Sequence, residues 1–173
     1  MGNIILTGYM GSGKTSVSRS LERITGLKML DTDARIEEQA GKSISRIFAE
    51  DGEEVFRDME TGLLENLIKE GFKGILSTGG GMPLRRENRI LMSRLGTVFY
   101  LKASPETICA RLLNDTTRPL LAGETKEGKL EKIKSMLEQR KAAYESGADH
   151  IVITDGLDIK DIASDIRSKV YME

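Results

Sequence analysis

The chain contains very little of what disulfides and zinc sites are made from. Its 173 residues include one cysteine and one histidine. The single cysteine, Cys109, cannot form an internal disulfide, and the single histidine, His150, leaves no His/Cys set for zinc. The chain therefore lacks the residues of a disulfide-stapled module or a zinc site. We expect a protein that folds in a reducing, cytoplasmic environment.

An excess of charge of one sign is also missing. Lys and Arg number 26, Asp and Glu number 27, and the formal net charge is −1. Proteins whose main partner is a nucleic-acid backbone or an anionic membrane normally have a basic excess, so we expect neither partner. The N-terminal apolar run, Ile4-Ile5-Leu6, is far too short for a signal peptide or a membrane-spanning helix.

Short apolar runs alternate with amphipathic segments along the whole chain, which predicts an α/β fold. Strands that alternate with helices form a mostly parallel sheet covered on both faces, and such sheets bind ligands beyond the carboxyl ends of their strands. The length predicts one domain. The predicted strands are Asn3–Thr7, Lys28–Leu30, Gly74–Ser77, Thr97–Leu101 and His150–Ile153.

Two stretches interrupt this alternation within the single domain, 1–173. The segment 33–72 has helical patterns broken at Gly41 and Gly52 and no strand, so it predicts a helical insertion packed beside the sheet. The irregular segment 114–126 is a candidate mobile lid of the kind that closes over a ligand. The predicted core comprises the remaining segments, 1–32, 73–113 and 127–173.

The first strand runs into a glycine-rich motif, Gly8-Tyr9-Met10-Gly11-Ser12-Gly13-Lys14-Thr15, which satisfies G-x-x-x-x-G-K-[ST]. Glycines let successive N–H groups point into one concavity, and the following helix presents its N-terminus to the same anion. A chance match arises on the order of once per hundred chains of this size, so a flexible turn is the weaker interpretation. The predicted phosphate-binding residues are Gly11, Ser12, Gly13, Lys14 and Thr15.

The class of nucleotide-binding protein follows from what accompanies this loop. A GTPase needs Asn-Lys-x-Asp, and none of the four asparagines is followed by lysine. A small kinase, with an acceptor site and a lid, is the remaining class. Asp31 and Asp33 close the second strand, where Asp31 could hold a metal ion and Asp33 could take a proton from a substrate hydroxyl. The alternative is that Asp33 caps the next helix.

Arginines and glycines supply the other candidate site residues. Arg57 could grip a substrate carboxylate while Glu60 orients it, although an exposed ion pair at this spacing is the simpler alternative. Thr78 is followed by Gly79, Gly80 and Gly81, and three glycines allow close approach of a ligand to the backbone. Three further arginines are candidates for ligand contacts or for solvated positions: Arg111, Arg118 in the lid as an arginine finger, and Arg140.

Taken together, these motifs resemble the shikimate kinase family across nearly the whole chain. The resemblance is specific because Asp31-Thr32-Asp33, Phe56-Arg57-x-x-Glu60, Gly79-Gly80-Gly81 and Arg118-Pro119-Leu120-Leu121 occur in this order. It implies a P-loop fold with five parallel strands in the order 2-3-1-4-5. It also implies transfer of the ATP γ-phosphate to the 3-hydroxyl of shikimate, with Mg²⁺, by a monomer.

The resemblance also implies roles for individual residues. Asp33, Arg57, Gly80 and Arg140 would contact shikimate, and Gly79 and Gly81 would shape the same turn. Thr15 and Asp31 would serve the metal, Arg118 would come from the lid, and Arg111 would pack on adenine. Two alternatives remain open, namely a hydroxy-acid or sugar-acid kinase of gluconate-kinase type and a nucleotide-dependent switch without an acceptor.

Overall fold

The computed structural model describes residues 2–113 and 125–172, which form a three-layer α/β structure around one parallel sheet. The sheet order is β2-β3-β1-β4-β5, with all neighbouring strands parallel. This confirms the predicted fold class and strand order. The strands are β1 (Ile4–Thr7), β2 (Met29–Asp31), β3 (Ile75–Ser77), β4 (Thr97–Lys102) and β5 (His150–Ile153).

Helices connect these strands and cover both faces of the sheet. The described helices are α1 (Lys14–Thr25), α2 (Thr32–Ala40), α3 (Ile44–Glu50), α4 (Glu53–Lys69), α5 (Arg86–Leu95), α6 (Pro105–Leu112), α7 (Lys126–Ser146) and α8 (Ile159–Met172), with a 3₁₀ turn at Met82–Leu84. The predicted breaks at Gly41 and Gly52 are confirmed, since Gly41 follows the end of α2 and Gly52 precedes α4.

Alternating side chains of β1 belong to two separate apolar clusters, one on each face of the sheet. Ile4 and Leu6 point to a cluster with α1 and α8, whereas Ile5 between them points to a cluster that includes side chains of α2 to α5. This period of two is what a strand buried on both faces requires. The predicted insertion therefore packs directly onto the sheet and shares its core.

The structure excludes one alternative that the sequence left open, a cap at Asp33, and adjusts one predicted boundary. Asp31, rather than Asp33, caps α2, because Oδ1 of Asp31 accepts hydrogen bonds from the N–H groups of Asp33 and Ala34 at 3.0 and 3.1 Å. Helix α7 begins at Lys126, inside the predicted lid, because the Thr125 side chain caps it. The rest of that lid, with Arg118, lies outside the described residues.

The described residues contain neither a membrane-spanning helix nor a ready-made metal cage. In residues 2–113 and 125–172, no helix combines the length and the apolar character needed to cross a bilayer. Within the same ranges, no three His, Cys, Asp or Glu side chains cluster as a ready-made metal cage would require.

Candidate active site

The phosphate loop joins the carboxyl end of β1 to the first turn of α1, as the motif predicts. Gly11 and Gly13 adopt φ angles of +76° and +101°, which side chains rarely tolerate. The ammonium group of Lys14 donates hydrogen bonds to the carbonyl oxygens of Gly8 at 2.6 Å and Tyr9 at 3.0 Å. These two contacts hold its positive charge at the loop that is expected to carry the phosphates.

Glycine at position 8 is required by close packing as well as by its φ of +145°. A Cβ atom there would lie 2.7 Å from the carbonyl oxygen of Leu101 and 2.8 Å from Oγ of Ser12. The Ser12 hydroxyl is buried and has no hydrogen-bond partner among the described residues. The absence of a side chain at position 8 therefore leaves room for the Leu101 carbonyl group and the Ser12 hydroxyl.

Arg111, at the end of α6, contacts the opposite side of the phosphate loop. Its Nη1 donates a hydrogen bond to the carbonyl oxygen of Gly11 at 2.9 Å. Its charge also helps to lower the pKa of Asp155, for which hydrogen bonds from Thr107 and Ser104 outweigh the opposing effect of burial. The hydrogen bond to Gly11 therefore holds the guanidinium group against the phosphate loop.

Asp31 and Asp33 lie at the carboxyl end of β2, across the cleft from the loop. The cleft has a volume of about 290 Å³. Both carboxylates line it together with Lys14 and Thr15 of the loop and Gly79 and Gly80 of the turn after β3. Parallel strands end at the same edge of the sheet, so three separate sequence motifs share one cavity. Each of these predicted site residues is thus part of a single cleft.

Arg57 and Glu60 form a buried pair on α4, which excludes the exposed ion pair considered from the sequence. Nη1 of Arg57 is 2.8 Å from Oε2 of Glu60, and the two side chains are 11% and 0% exposed. Glu53 adds a second contact to Arg57 at 3.0 Å. A guanidinium fixed by two carboxylates is held in one orientation, which favours recognition of another planar anion.

The three glycines after β3 allow the neighbouring acidic and basic side chains to approach the backbone. A Cβ at Gly79 would clash with Oδ1 of Asp33, and a Cβ at Gly81 would clash with the guanidinium group of Arg57. None of the three glycines has a positive φ. The sequence pattern predicted close approach of a ligand to the glycine backbone. In the structure, charged side chains of the protein itself, those of Asp33 and Arg57, approach this backbone.

Gly80 faces the open part of the cleft, toward α7. Nη1 of Arg140 is 3.8 Å from the position that a Cβ on Gly80 would occupy. The hydroxyl of Tyr144, one turn further along α7, donates to the carbonyl oxygen of Gly80 at 2.7 Å. The structure therefore brings Arg140 and Arg57 to adjacent glycines, Gly80 and Gly81, of the same turn.

Burial raises the pKa of the Tyr144 hydroxyl, and the nearby charges of Arg140 and Arg57 only partly oppose this shift. The phenol thus remains a hydrogen-bond donor to Gly80 at neutral pH. The guanidinium group of Arg140 also lies over the ring of Tyr9, 5.6 Å from its centroid. Sequence analysis did not identify Tyr9 as a contact of Arg140, because Tyr9 occupies a variable position of the loop motif and no spacing links it to α7.

The fold and this cleft define a class of protein, a P-loop kinase with a small-molecule cleft beside its phosphate loop. Comparison with known proteins identifies the family. A family model described as shikimate kinase matches residues 10–171. The chain belongs to the shikimate kinase family.

Curated relatives match over nearly the full length of this chain. A shikimate kinase of Bacillus anthracis is 39% identical over 170 residues, which are 98% of this chain and 99% of that protein. One from Thermodesulfovibrio yellowstonii is 40% identical over 96% of this chain and 93% of its own length. The chain is therefore an enzyme, a kinase that uses ATP, and the sequence-based assignment to this family is confirmed.

Solved structures give the same result. Shikimate kinase from Acinetobacter baumannii in complex with shikimate has a TM-score of 0.86 and 35% identity, covering 99% of this chain and 94% of that one. Shikimate kinase from Bacteroides thetaiotaomicron has a TM-score of 0.90 and 31% identity, covering 98% of both chains. The backbone of the cleft is thus embedded in a fold shared with other kinases of the family.

Proposed function

We propose that the protein transfers the γ-phosphate of ATP to the 3-hydroxyl group of shikimate in the route to aromatic amino acids. The observation that carries this proposal is the single cleft that contains both Lys14 of the phosphate loop and Asp33 of the acceptor side. The family relationship, with a shikimate-bound structure among the similar proteins, supports the choice of acceptor.

The carboxylate of the acceptor would bind to positively charged side chains on two helices, α4 and α7. Arg57 and Arg140 would bind its carboxylate, since both guanidinium groups lie at the Gly80–Gly81 turn. The N–H of Gly79 already donates to Thr32 Oγ1 at 2.9 Å, which fixes the turn, and Gly80 is left facing the cleft. The remaining hydroxyl groups of the acceptor would meet the carboxylate of Asp33.

The transfer step needs one proton acceptor and a site for the phosphate charge. The 3-oxygen of the acceptor forms a bond to the γ-phosphorus as the bond to the β-phosphate oxygen breaks, and the hydroxyl proton passes to the carboxylate of Asp33. Lys14 and the loop N–H groups from Gly11 to Thr15 would hold the phosphates and stabilise their charge. Phosphoryl transfer depends mainly on such positioning and electrostatics.

Thr15 and Asp31 form a donor set that fits Mg²⁺. Both line the cleft, and both present the hard oxygen donors that Mg²⁺ prefers. The hydrogen bonds from the N–H groups of Asp33 and Ala34 to Asp31 hold its carboxylate at this edge of the sheet. When bound, the ion would neutralise phosphate charge, while the water it usually retains would complete its coordination.

The remaining assignments are part of the same proposal. Arg111 would pack on the adenine ring, because it already lies against the phosphate loop at the end of α6. Arg118 would approach the transferred phosphate from the lid, 114–126; this role rests on the sequence resemblance. The segment 33–72 would act as the substrate-binding part of a monomeric, cytoplasmic enzyme.

An acceptor screen with product identification tests the reaction. Wild-type protein, ATP and Mg²⁺ are incubated with shikimate, with shikimate analogues that lack one hydroxyl, and with gluconate. We expect turnover with shikimate, and phosphorus–proton couplings in the NMR spectrum should place the phosphate on the 3-oxygen. Turnover with gluconate but not shikimate, or ATP hydrolysis that no acid accelerates, would contradict the proposal.

Two variants test the proposed acceptor contacts. Asp33→Asn should lower the single-turnover rate by about 10²–10⁴-fold while ATP affinity is retained, because a positioned base is lost. Arg57→Ala should raise KM for shikimate and leave ATP affinity unchanged. Arg46→Ala is a control, since it removes an exposed guanidinium from the neighbouring helix α3. If Arg57→Ala behaved like Arg46→Ala, the proposed carboxylate contact would be wrong.

A further inference from the structure

A buried asparagine outside the cleft joins the two walls of the acceptor site. Asn88, on α5, is 0% exposed. Its Nδ2 donates to the carbonyl oxygen of Met82 at 3.0 Å, and its Oδ1 accepts a hydrogen bond from the Thr61 hydroxyl at 2.7 Å. One amide group therefore links the residue after Gly81 to helix α4.

The two linked positions are close in sequence to the residues that form the acceptor site. Met82 directly follows Gly81, whose Cα packs against the guanidinium group of Arg57. Thr61 lies one turn after Arg57 on α4, and its hydroxyl is also 3.1 Å from the Arg57 carbonyl oxygen. A displacement between α4 and the turn would move Arg57 relative to the glycines.

Arg85 connects the same elements at the surface. Its guanidinium group contacts Glu54 and Asp58 of α4, each at 2.7 Å. Those two carboxylates are 88% and 72% exposed, so these ion pairs contribute little to holding the helix in place. The buried Asn88 amide is different, because each of its bonds leaves a buried polar group unpaired when it is lost.

We propose that Asn88 is a positioning residue for acceptor binding, which sets the distance between Arg57 on α4 and the glycine turn through Thr61 and Met82. This inference rests on the proposed role of Arg57 in binding the acceptor carboxylate. The phosphate loop follows β1 and is not attached through this amide. Loss of Asn88 should therefore change recognition of the acid much more than recognition of ATP.

The chain offers a matched control at the other end of the sheet. Asn3 is 6% exposed, and its Nδ2 donates to the carbonyl oxygens of Phe72 and Leu95 at 2.9 and 2.7 Å. Its Oδ1 accepts from the N–H of Gly74 at 2.9 Å. Asn3 is thus also a buried amide that joins separate segments, but it lies before β1, opposite the carboxyl ends of the strands.

The test compares Asn88→Leu with Asn3→Leu in steady-state kinetics, with thermal unfolding of each variant. Asn88→Leu should raise KM for shikimate about tenfold or more and change KM for ATP by less than about twofold, as expected when a binding group is slightly misplaced. Asn3→Leu should lower Tm and leave both KM values near the wild type. Equal effects of the two variants on both substrates would show a purely structural role and overturn the proposal.

A second pair of variants, both at Thr61, tests the proposal if Asn88→Leu fails to fold. Thr61→Val keeps the shape of the side chain but removes its hydroxyl, and Thr61→Ser restores the hydroxyl. We expect Thr61→Val to raise KM for shikimate and Thr61→Ser to recover it. If Arg57→Ala alone raises this KM and neither Thr61→Val nor Asn88→Leu does, only the present inference is wrong. If Arg57→Ala has no effect, the proposed carboxylate contact fails, and this inference fails with it.

Discussion

The carboxylate of Asp33 occupies the space that a side chain on Gly79 would need. Oδ1 of Asp33 is the nearest atom to a Cβ built at that glycine. The next residue is Glu60, whose Oε1 lies 3.3 Å from the same Cβ position. Two acidic side chains from α2 and α4 therefore meet at one glycine of the turn after β3. The glycine is required by this convergence rather than by backbone conformation, because its φ is not positive.

Substitution of Gly79 by alanine should consequently impair phosphoryl transfer more than folding. The added methyl group displaces the Asp33 carboxylate, and a shift of about 1 Å in a reacting group can cost about 10²-fold in rate. Gly62→Ala is the matched control, because Gly62 lies within α4 with no atom near its Cβ position, and it should stabilise the protein by about 0.5–1 kcal/mol. Single-turnover rates and urea unfolding measure both effects. Equal rates in the two variants would contradict the expectation.

Lys14 should be needed for the nucleotide and for the rate of transfer. Lys14→Met removes the charge at the phosphate loop, and we expect kcat to fall by about 10²–10³-fold, the usual loss for one preorganised electrostatic group. Lys28→Met is the control, because Lys28 is exposed, directly precedes β2 and lies outside the cleft. ATP titration and steady-state kinetics measure the effect. A Lys14→Met enzyme with wild-type kcat would exclude the assigned role.

Tyr144→Phe should loosen the glycine turn. The variant loses the 2.7 Å hydrogen bond to the part-buried Gly80 carbonyl oxygen, at a cost of about 0.5–1.5 kcal/mol in the free energy of unfolding. KM for shikimate should rise as well.

Tyr100→Phe provides the comparison for the Tyr144 variant. The Tyr100 ring stacks on Tyr144 with centroids 5.0 Å apart, and burial, followed by the charges of Tyr144 and Glu145, raises its pKa to about 12. Loss of the Tyr100 hydroxyl keeps this stacking and does not touch the turn. If both phenylalanine variants showed the same KM for shikimate, the bond to Gly80 would have no part in acceptor binding.

Glu60 should make stability depend on pH. Burial raises its pKa above the ordinary value of 4.5, the nearby charge of Asp33 acts in the same direction, and the hydrogen bond and charge of Arg57 oppose the shift only in part. An acid whose pKa is higher in the folded chain contributes stability below its unfolded pKa that is lost as pH rises through the folded pKa.

The free energy of unfolding of the wild type minus that of Glu60→Gln should therefore decrease from pH 4.5 toward neutrality. Urea unfolding at several pH values measures this difference. Glu54→Gln, which removes an exposed carboxylate from the same helix, serves as the control for loss of charge. A difference that grew with pH would show that the ionised form of Glu60 is the one favoured by folding.

Much of this architecture could be predicted from local patterns. The β5 bounds agree with the prediction, and the other four strands differ by one residue at one or both ends. The sequence left open whether Asp33 caps α2, because Asp31 and Asp33 are both good capping residues and only the backbone geometry shows that Asp31 is the cap. The start of α7 was placed too late because its first turn, Lys126 to Lys129, contains no apolar residue.

Contacts between distant segments could not be predicted in the same way. The pairing of Arg57 with Glu60 was expected from their spacing, but their near-complete burial depends on packing of α4 against the turn after β3. The contact of Arg140 with Tyr9 and the bonds of Asn88 to Thr61 and Met82 have no signature in spacing. Side chains on separate elements meet only after the sheet has brought those elements together.

The sequence by itself determined the phosphate loop, the parallel α/β fold and the family, because glycine spacing and hydrophobic periodicity are local and directly control backbone geometry. Only the tertiary structure decided that Asp33 and Glu60 meet at Gly79 and Arg57 at Gly81, and which buried amide joins α4 to that turn. The physical reason is that burial, desolvation and the orientation of charged groups depend on every element packed around them, and no single stretch of chain contains that information.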